Sequence, residues 1–389
     1  MSKKKIAIVG IGRAGTKIIS TLCNLKQAQN FTLLAIDTDK TSLHESAVNE
    51  TNKLLLGEEW RKGAGCGGDV IAGGRVFSHE RAKINSFLSP YDLVFVVGGL
   101  GRGTAGGGVS IIASEMNRLK IPVIFVLTLP FMMEGPSRHR IAEQLLKSEI
   151  HETNNVVITI PNDLLFSKLD SNCTLEEAFM LSNNELAVSI LALALVFNGE
   201  NLLSASYTDL LEILAKKKHF ASIGIGTASS RDGIENRFNV VLEKMLMSPL
   251  MGGLDNLKSA DVLIVSLIGG PSLKACDTKY ILEKVNSFVN ENTEIAVNFS
   301  TDDSFGEALL LACMAIKFDK NAMETKIFEE ATKLTSTSRR KNKEIDNDGQ
   351  ASLELIYAER GIFEKTSANN YNGVDLDIPT YQRKNVNLK

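Results

Sequence analysis

Short apolar runs alternate with amphipathic segments through the first part of the chain, and this alternation limits its possible folds more than any other feature. Runs such as KIAIVG, DLVFVVGG and PVIFVLTLP are continuously apolar, which is typical of strands buried on both faces. Between them, segments such as GTKIISTLCNL and VSIIASEMNRLK have the apolar spacing of helices. The pattern predicts an α/β fold, a doubly wound parallel sheet covered by helices.

A long helix is predicted after this sheet, over TLEEAFMLSNNELAVSILALALVF. Thr174 and Glu177 have the spacing of a capping box at its start. Its most apolar part, Leu186 to Phe197, is shorter than a bilayer-spanning helix. We therefore expect a buried central helix packed on two sides, and no direct insertion into a membrane.

The remaining chain divides into a second α/β region and a tail. HFASIGIGTAS, ADVLIVSLIGG and TEIAVNFSTDD are typical of strands, with helical segments between them. We predict three units, 1–197, 198–318 and 319–389.

The tail contains two distinct segments. Thr332 to Ser352 is polar and charged, which favours a flexible linker. Gly373 to Asn385 is either a peptide that binds another protein or an unstructured end of no consequence.

Composition narrows the classes of function. The chain has 389 residues, 44% of them hydrophobic, and a formal net charge of −3, so we expect a folded protein without general attraction for nucleic acid. Its five cysteines are scattered, with no C-x-x-C pair. This spacing favours neither a disulfide framework nor a metal site, and indicates reduced thiols in the cytoplasm.

Glycine-rich turns are the candidate functional elements. Gly10, Gly12 and Gly15 follow the first predicted strand, and Asp37 closes the next one. This is the arrangement of a dinucleotide-binding site, although three glycines in a strand-to-helix turn are weak evidence alone. Two further segments, Lys62 to Asp69 and Val96 to Ser110, are also glycine-rich. Several such loops at neighbouring strand ends favour a triphosphate held by backbone N–H groups and helix N-termini.

Separate motifs, in order along nearly the whole chain, resemble the tubulin/FtsZ family. GGLGRGTAGGG resembles the family's glycine-rich loop, and PFMMEGPSRHRIAEQ, ITIPNDLL and AFMLSNNEL resemble three further segments. Two later segments resemble the C-terminal domain of the FtsZ branch, namely MSPLMGG and VLIVSLIGGPSL. The segment LDIPTYQRK resembles the C-terminal peptide of that branch. Agreement over so many motifs displaces the dinucleotide oxidoreductase interpretation.

The resemblance implies a GTP/GDP site in the first unit, with Mg²⁺ accompanying the nucleotide. The glycine loops would hold the phosphates, and Thr104 would add a hydroxyl. Glu134 and Arg138 would lie at the ribose, and Phe179 would stack on the guanine. Amide side chains would read the guanine edge. The nucleotide-binding residues implied are Gly12, Arg13, Ala14, Gly15, Thr16, Lys17, Gly65, Gly101, Arg102, Gly103, Thr104, Ala105, Gly106, Glu134, Arg138, Asn162, Phe179, Asn183 and Asn184.

The chain departs from the family pattern at the phosphate loops. Family members commonly have glycine where this chain has Arg13, Ala14, Thr16 and Arg102, and asparagine where it has Lys17. These side chains either add positive charge beside the phosphates or crowd them.

A second departure lies in LLSASYTDLLEIL, after the central helix. In the family this loop enters the nucleotide site of the next subunit, where two carboxylates polarise the attacking water. Here Ser204 and Ser206 replace two of the family's residues, and Asp209 remains as the implied catalytic carboxylate. Loss of one of the two carboxylates raises the activation free energy of hydrolysis by a few kcal/mol, which lowers the rate roughly 10²-fold. Asn201 or Glu212 are alternatives that would compensate.

The resemblance implies a GTP-binding cytoskeletal protein that polymerises head to tail into filaments for cell division, with slow hydrolysis at subunit contacts. The alternative is an accessory or structural filament that binds GTP without efficient hydrolysis. Implied partners are further copies of the chain and, through the C-terminal peptide, membrane-adaptor or division proteins. We expect a cytoplasmic protein at the division site, with no nucleic-acid partner.

Overall fold

The computed structural model describes residues 4–146, 156–163, 173–198, 219–233 and 236–318, and the backbone of 370–371 and 374–375. The loop that holds Asp209, the predicted linker Thr332 to Ser352 and the peptide LDIPTYQRK lie outside the described residues. The chain divides into two compact units, residues 1–327 and 328–389.

The first sheet confirms the predicted doubly wound α/β fold. All pairings between its six described strands are parallel, in the order β3-β2-β1-β4-β5-β6. The order reverses between β1 and β4, which is where open α/β sheets bind ligands. The strands are β1 (Ile6–Ile11), β2 (Thr32–Asp37), β3 (Lys53–Leu55), β4 (Leu93–Gly99), β5 (Val123–Leu129) and β6 (Val156–Pro161).

Helices cover both faces of this sheet. Alternate residues of β1 point to opposite faces, so Ile6 and Ile8 pack into one core while Ala7 and Val9 pack into another. Both faces are therefore buried, as the continuously apolar strands predict. The described helices of this region are α1 (Gly12–Leu22), α2 (Lys40–His44), α3 (Glu58–Arg61), α4 (Val70–His79), α5 (Arg81–Leu88), α6 (Gly103–Leu119) and α7 (Pro136–Leu145).

The central helix α8 spans Leu175–Asn198. Its predicted capping box is present: the Thr174 amide donates to Glu177 Oε2 at 2.9 Å, and the Glu177 amide donates to Thr174 Oγ1 at 3.2 Å. The apolar stretch is longer than expected, since the 22 residues Glu176–Phe197 are long and apolar enough to cross a membrane by length and composition. From Leu186 onward their apolar side chains, apart from the partly buried Val188, are instead buried in a core shared with both sheets.

The second sheet has the order β7-β10-β8-β9 among its described strands. Its central strand β10 was not predicted from the sequence; it is antiparallel to β7 and β8, while β8 and β9 are parallel. The strands are β7 (His219–Ala228), β8 (Val262–Gly269), β9 (Glu294–Thr301) and β10 (Leu309–Phe318), with helices α9 (Arg237–Leu246), α10 (Leu254–Lys258) and α11 (Ala275–Asn286).

The C-terminal unit has two short described strands. These are β11 (Asn370–Tyr371) and β12 (Val374–Asp375), which pair antiparallel. They lie just before the peptide that resembles the FtsZ C-terminal segment.

Candidate functional site

A cavity of about 300 Å³ lies at the carboxyl ends of the parallel strands, in the range of small-ligand sites. Segments that directly follow β1, β2, β4, β5 and β6 all reach it, because parallel strands end at one edge of the sheet. The lining residues are Ile11, Gly12, Arg13, Ala14, Asp37, Asp39, Ala64, Gly65, Cys66, Gly67, Gly68, Gly99, Leu100, Arg102, Gly103, Thr104, Ala105, Thr128, Pro130, Glu134 and Asn162.

The first glycine loop runs from β1 into α1. Gly12 has φ +66°, in the left-handed region that favours glycine, and its backbone approaches Thr104 of α6. Arg13 and Ala14 also line the cavity. Gly15 and Thr16 are buried beneath the loop, and Lys17 is exposed on α1 without lining the cavity.

The second glycine loop runs from β4 into α6. Gly103, Thr104 and Ala105 begin this helix at the cavity, and Arg102 is its N-cap residue. Both α1 and α6 begin without a side-chain cap or an acidic residue in the first turn. Their first N–H groups are therefore available to an anion, which the helix dipoles also favour.

Other glycines of this loop lie outside the cavity lining. Gly101 packs beside Pro130 and Arg138, and Gly106 beside Val70 and Leu145. A Cβ atom at Gly107 would lie 2.2 Å from the backbone nitrogen of Gly74, so this glycine permits α6 to pack closely on α4. The glycine-rich segment thus serves helix packing as well as the cavity.

The third loop, before α4, also reaches the cavity. Its backbone is attached to the segment after β2, because the Gly65 amide donates to the Thr38 carbonyl at 3.0 Å and the Lys40 amide to the Gly63 carbonyl at 2.9 Å. Asp69 caps α4 by accepting from the Ile71 and Ala72 amides. The loop backbone from Ala64 to Gly68 is thereby placed against the α6 N-terminus.

Two carboxylates at the end of β2 and just after it, Asp37 and Asp39, belong to the lining but not to the predicted nucleotide set. Asp37 accepts from the Thr38 amide at 2.7 Å and from the Asp39 amide at 3.3 Å. Burial raises the pKa of Asp37; the Ser42 hydroxyl and these two amides oppose that rise. Its buried Oδ2 atom completes no hydrogen bond with the described residues. The sequence signal for Asp37 and Asp39 is their position at the end of a predicted strand; the dinucleotide interpretation includes Asp37 but not Asp39.

Glu134 and Asn162 also line the cavity. Glu134 accepts from the Phe131 amide at 3.2 Å and forms ion pairs with Arg138 and Arg102. Arg138 itself is not part of the lining.

Three predicted base-side residues on α8 lie outside the cavity lining. The ring of Phe179 packs edge-to-face on Phe131, with centroids 5.7 Å apart. Asn183 is half-buried, and Asn184 is exposed. The structure thus brings Asn162 to the cavity, and it leaves the roles of Phe179, Asn183 and Asn184 as predictions.

Comparisons with known proteins agree with this architecture. Residues 5–170 match the model of the Tubulin/FtsZ family GTPase domain. The cell division protein FtsZ of Buchnera aphidicola subsp. Baizongia pistaciae is 26% identical over 387 residues, covering 97% of this chain and 96% of that protein. The chain is an FtsZ-like protein. The matched range contains all six strands of the sheet that carries the cavity.

Solved structures show the same fold. An FtsZ dimer from M. jannaschii has a TM-score of 0.70 and 24% identity to this FtsZ-like chain, over 82% of this chain and 93% of that one. A GTPγS-bound protofilament of CetZ2 from Haloferax volcanii has a TM-score of 0.64 and 19% identity, over 86% and 99% of the two chains.

Proposed function

We propose that this protein binds GTP in the cavity and polymerises head to tail into filaments for cell division. One observation carries the proposal: the N-termini of α1 and α6 and the loop Ala64–Gly68 converge on one cavity at the switch point of the sheet. Three backbone segments that reach one cavity suit a chain of phosphates better than a single segment would. The match to the GTPase domain supports a guanine nucleotide.

The nucleotide would lie across the cavity. Its phosphates would contact the loop backbone that lines the cavity, Gly12 to Ala14, Gly65 and Arg102 to Ala105, while the ribose and guanine would lie toward Glu134 and Asn162. The other phosphate-side residues of the predicted set, Gly15, Thr16, Lys17, Gly101 and Gly106, lie outside this lining. Arg138, Phe179, Asn183 and Asn184 would complete the base and ribose side. The presence of Glu134 and Asn162 in the same lining as the glycine loops supports this arrangement.

Mg²⁺ is expected to enter with the nucleotide. Among the described residues no group of three or more His, Cys, Asp or Glu side chains forms a cation site. Asp37 and Asp39 supply carboxylate oxygens on the lining. Such a pair fits Mg²⁺, which commonly uses one or two carboxylates together with substrate phosphates and neutralises phosphate charge.

Exposed apolar side chains beside the cavity support head-to-tail assembly. Met132 and Met133, next to Glu134, are 73% and 75% exposed, and Phe179 and Met180 are also exposed. An apolar patch of this kind is stabilised when another subunit covers it. A second copy that places its opposite end there would bury both the patch and the nucleotide, and repetition of that contact yields a filament.

Hydrolysis at this contact is proposed to be slow. Asp209 would act on the neighbouring subunit's nucleotide, and the serines at 204 and 206 carry no charge to polarise water. The same serines favour the second candidate, a filament that binds GTP without efficient hydrolysis.

The three units, 1–197, 198–318 and 319–389, are proposed to act as GTP-binding domain, C-terminal domain with the catalytic loop, and tether. The peptide LDIPTYQRK would bind a membrane-adaptor or division protein. The proposed role implies a cytoplasmic protein that acts at the division site.

Phosphate release from GTP, measured as protein concentration rises, tests the function. A site shared by two subunits must show a threshold concentration below which turnover vanishes. Release above a threshold supports a dynamic division GTPase. GTP binding and filaments without release support the second candidate, and a protein that neither binds GTP nor assembles contradicts both.

A further inference from the structure

Arg13 and Arg102 carry the positive side-chain charge on the cavity lining. The negative side chains there are the carboxylates of Asp37, Asp39 and Glu134. A nucleoside triphosphate is strongly anionic, so in the absence of the arginines the charged side chains of the lining would all repel it. The two arginines therefore have a specific electrostatic task if the cavity holds phosphates.

The backbone segments that carry the two arginines lie side by side. Arg13 follows Gly12 at the start of α1, and Arg102 directly precedes α6. A Cβ atom built on Gly12 would lie 3.3 Å from the Thr104 Cβ. The two guanidinium groups therefore extend from adjacent helix starts, where the helix dipoles favour an anion.

Neither arginine is held firmly by its present partner. Arg13 Nη2 lies 3.6 Å from Glu45 Oε2, and Arg102 Nη2 lies 3.7 Å from Glu134 Oε2. The arginine side chains are 62% and 64% exposed. Exposed pairs of this kind contribute at most about 1 kcal/mol, whereas arginine binds phosphate through two parallel, charge-assisted hydrogen bonds. It is therefore favourable for each arginine to exchange its carboxylate partner for a phosphate.

We propose that Arg13 and Arg102 form a clamp on the phosphate chain of the bound nucleotide, and that this clamp sets the preference for GTP over GDP. On binding, each guanidinium leaves its carboxylate for phosphate oxygens, and Glu134 keeps Arg138 as a partner. GTP gains more than GDP because it carries the additional charged phosphate. The clamp rests on the proposed GTP site and adds to it the residues that select the triphosphate.

The test compares affinities of the full-length chain for fluorescent mant-GTP and mant-GDP in Mg²⁺ buffer. Variants are Arg13→Ala, Arg102→Ala and Arg102→Lys. The matched control is Arg140→Ala, which removes an exposed arginine of α7 that lies outside the lining. Each clamp alanine should weaken GTP about tenfold, equivalent to 1.4 kcal/mol, and GDP less than about threefold. Arg102→Lys should keep part of the preference, and Arg140→Ala should keep all of it.

The outcomes separate the clamp from the function beneath it. Clamp variants with the wild-type ratio of GTP to GDP affinities overturn the clamp and leave the GTP site standing. A wild-type chain that binds neither nucleotide overturns both. Salt provides a second measurement that needs no variant: wild-type affinity must fall more steeply with ionic strength for GTP than for GDP, and equal slopes overturn the clamp.

Discussion

The hydroxyl of Thr38 lies 2.8 Å from the hydroxyl of Thr104. Thr38 follows β2, and Thr104 lies in the first turn of α6. The thiol of Cys66 also donates to Thr38 Oγ1 at 3.4 Å, which adds the third glycine loop to the same group. One buried hydroxyl therefore connects three of the segments that form the cavity.

Thr38→Val should lower the free energy of unfolding by about 1 kcal/mol, because the change keeps the shape and removes the shared hydrogen-bonding group. Thr41→Val is the control, since Thr41 is exposed on α2 and should change stability by less than about 0.5 kcal/mol. Urea denaturation measures both. Equal stability of Thr38→Val and wild type would show that the connection contributes nothing.

Because of Glu115 on α6, the free energy of unfolding should depend on pH. It is buried and accepts from Asn85 Nδ2 at 2.8 Å and from Arg118. These hydrogen bonds, led by that of Asn85, and the charges of Arg118 and Arg81 hold the pKa of Glu115 below its usual value. A lowered folded-state pKa contributes stability above the unfolded-state pKa, and this is lost as pH falls through the folded-state pKa.

Glu115→Gln should therefore cost about 1–2 kcal/mol near neutral pH, with the difference from wild type shrinking as the pH falls below the ordinary glutamate range. Glu243→Gln, at an exposed position on α9, serves as the control. Denaturation curves at several pH values measure the effect. A difference that is constant from neutral to acid pH would contradict the charged role of Glu115.

Gly107→Ala should destabilise the fold, because the new Cβ would lie 2.2 Å from the Gly74 nitrogen, in backbone that cannot move aside cheaply. We expect a loss of about 1–3 kcal/mol. Gly74→Ala tests the other side of the same contact. Its Cβ would meet only ordinary contacts at 3.6 Å and beyond, so the helix preference for alanine should make it neutral or stabilising by up to about 1 kcal/mol. Similar losses in both variants would contradict the close α4–α6 contact.

Asp209→Ala should abolish turnover and leave GTP binding intact, because the residue is predicted to act on the neighbouring subunit's nucleotide. Ser206→Asp should raise turnover roughly 10²-fold by restoring a second carboxylate. Phosphate release above the assembly threshold, beside a nucleotide-binding titration, measures both. Normal hydrolysis by Asp209→Ala would show that this loop is aligned wrongly with the family.

Local patterns in the sequence predicted the elements of the fold well. Continuous apolar runs identified β1, β4 and β5, and the spacing of Thr174 and Glu177 identified the start of α8. These features depend on residues within a few positions of one another. Strand β10 was not predicted. Its position between β7 and β8 depends on pairing with residues that are distant in the chain.

The sequence by itself determined the α/β class, the glycine loops and the resemblance to the tubulin/FtsZ family. Only the tertiary structure decided which residues of those loops meet. It brought Asp39 and Thr128 to the cavity, assigned Gly107 to helix packing, and left Lys17 outside the lining. The reason is physical: residue spacing fixes which face of an element a side chain occupies, whereas strand order and the close packing of α4 on α6 fix which faces come together.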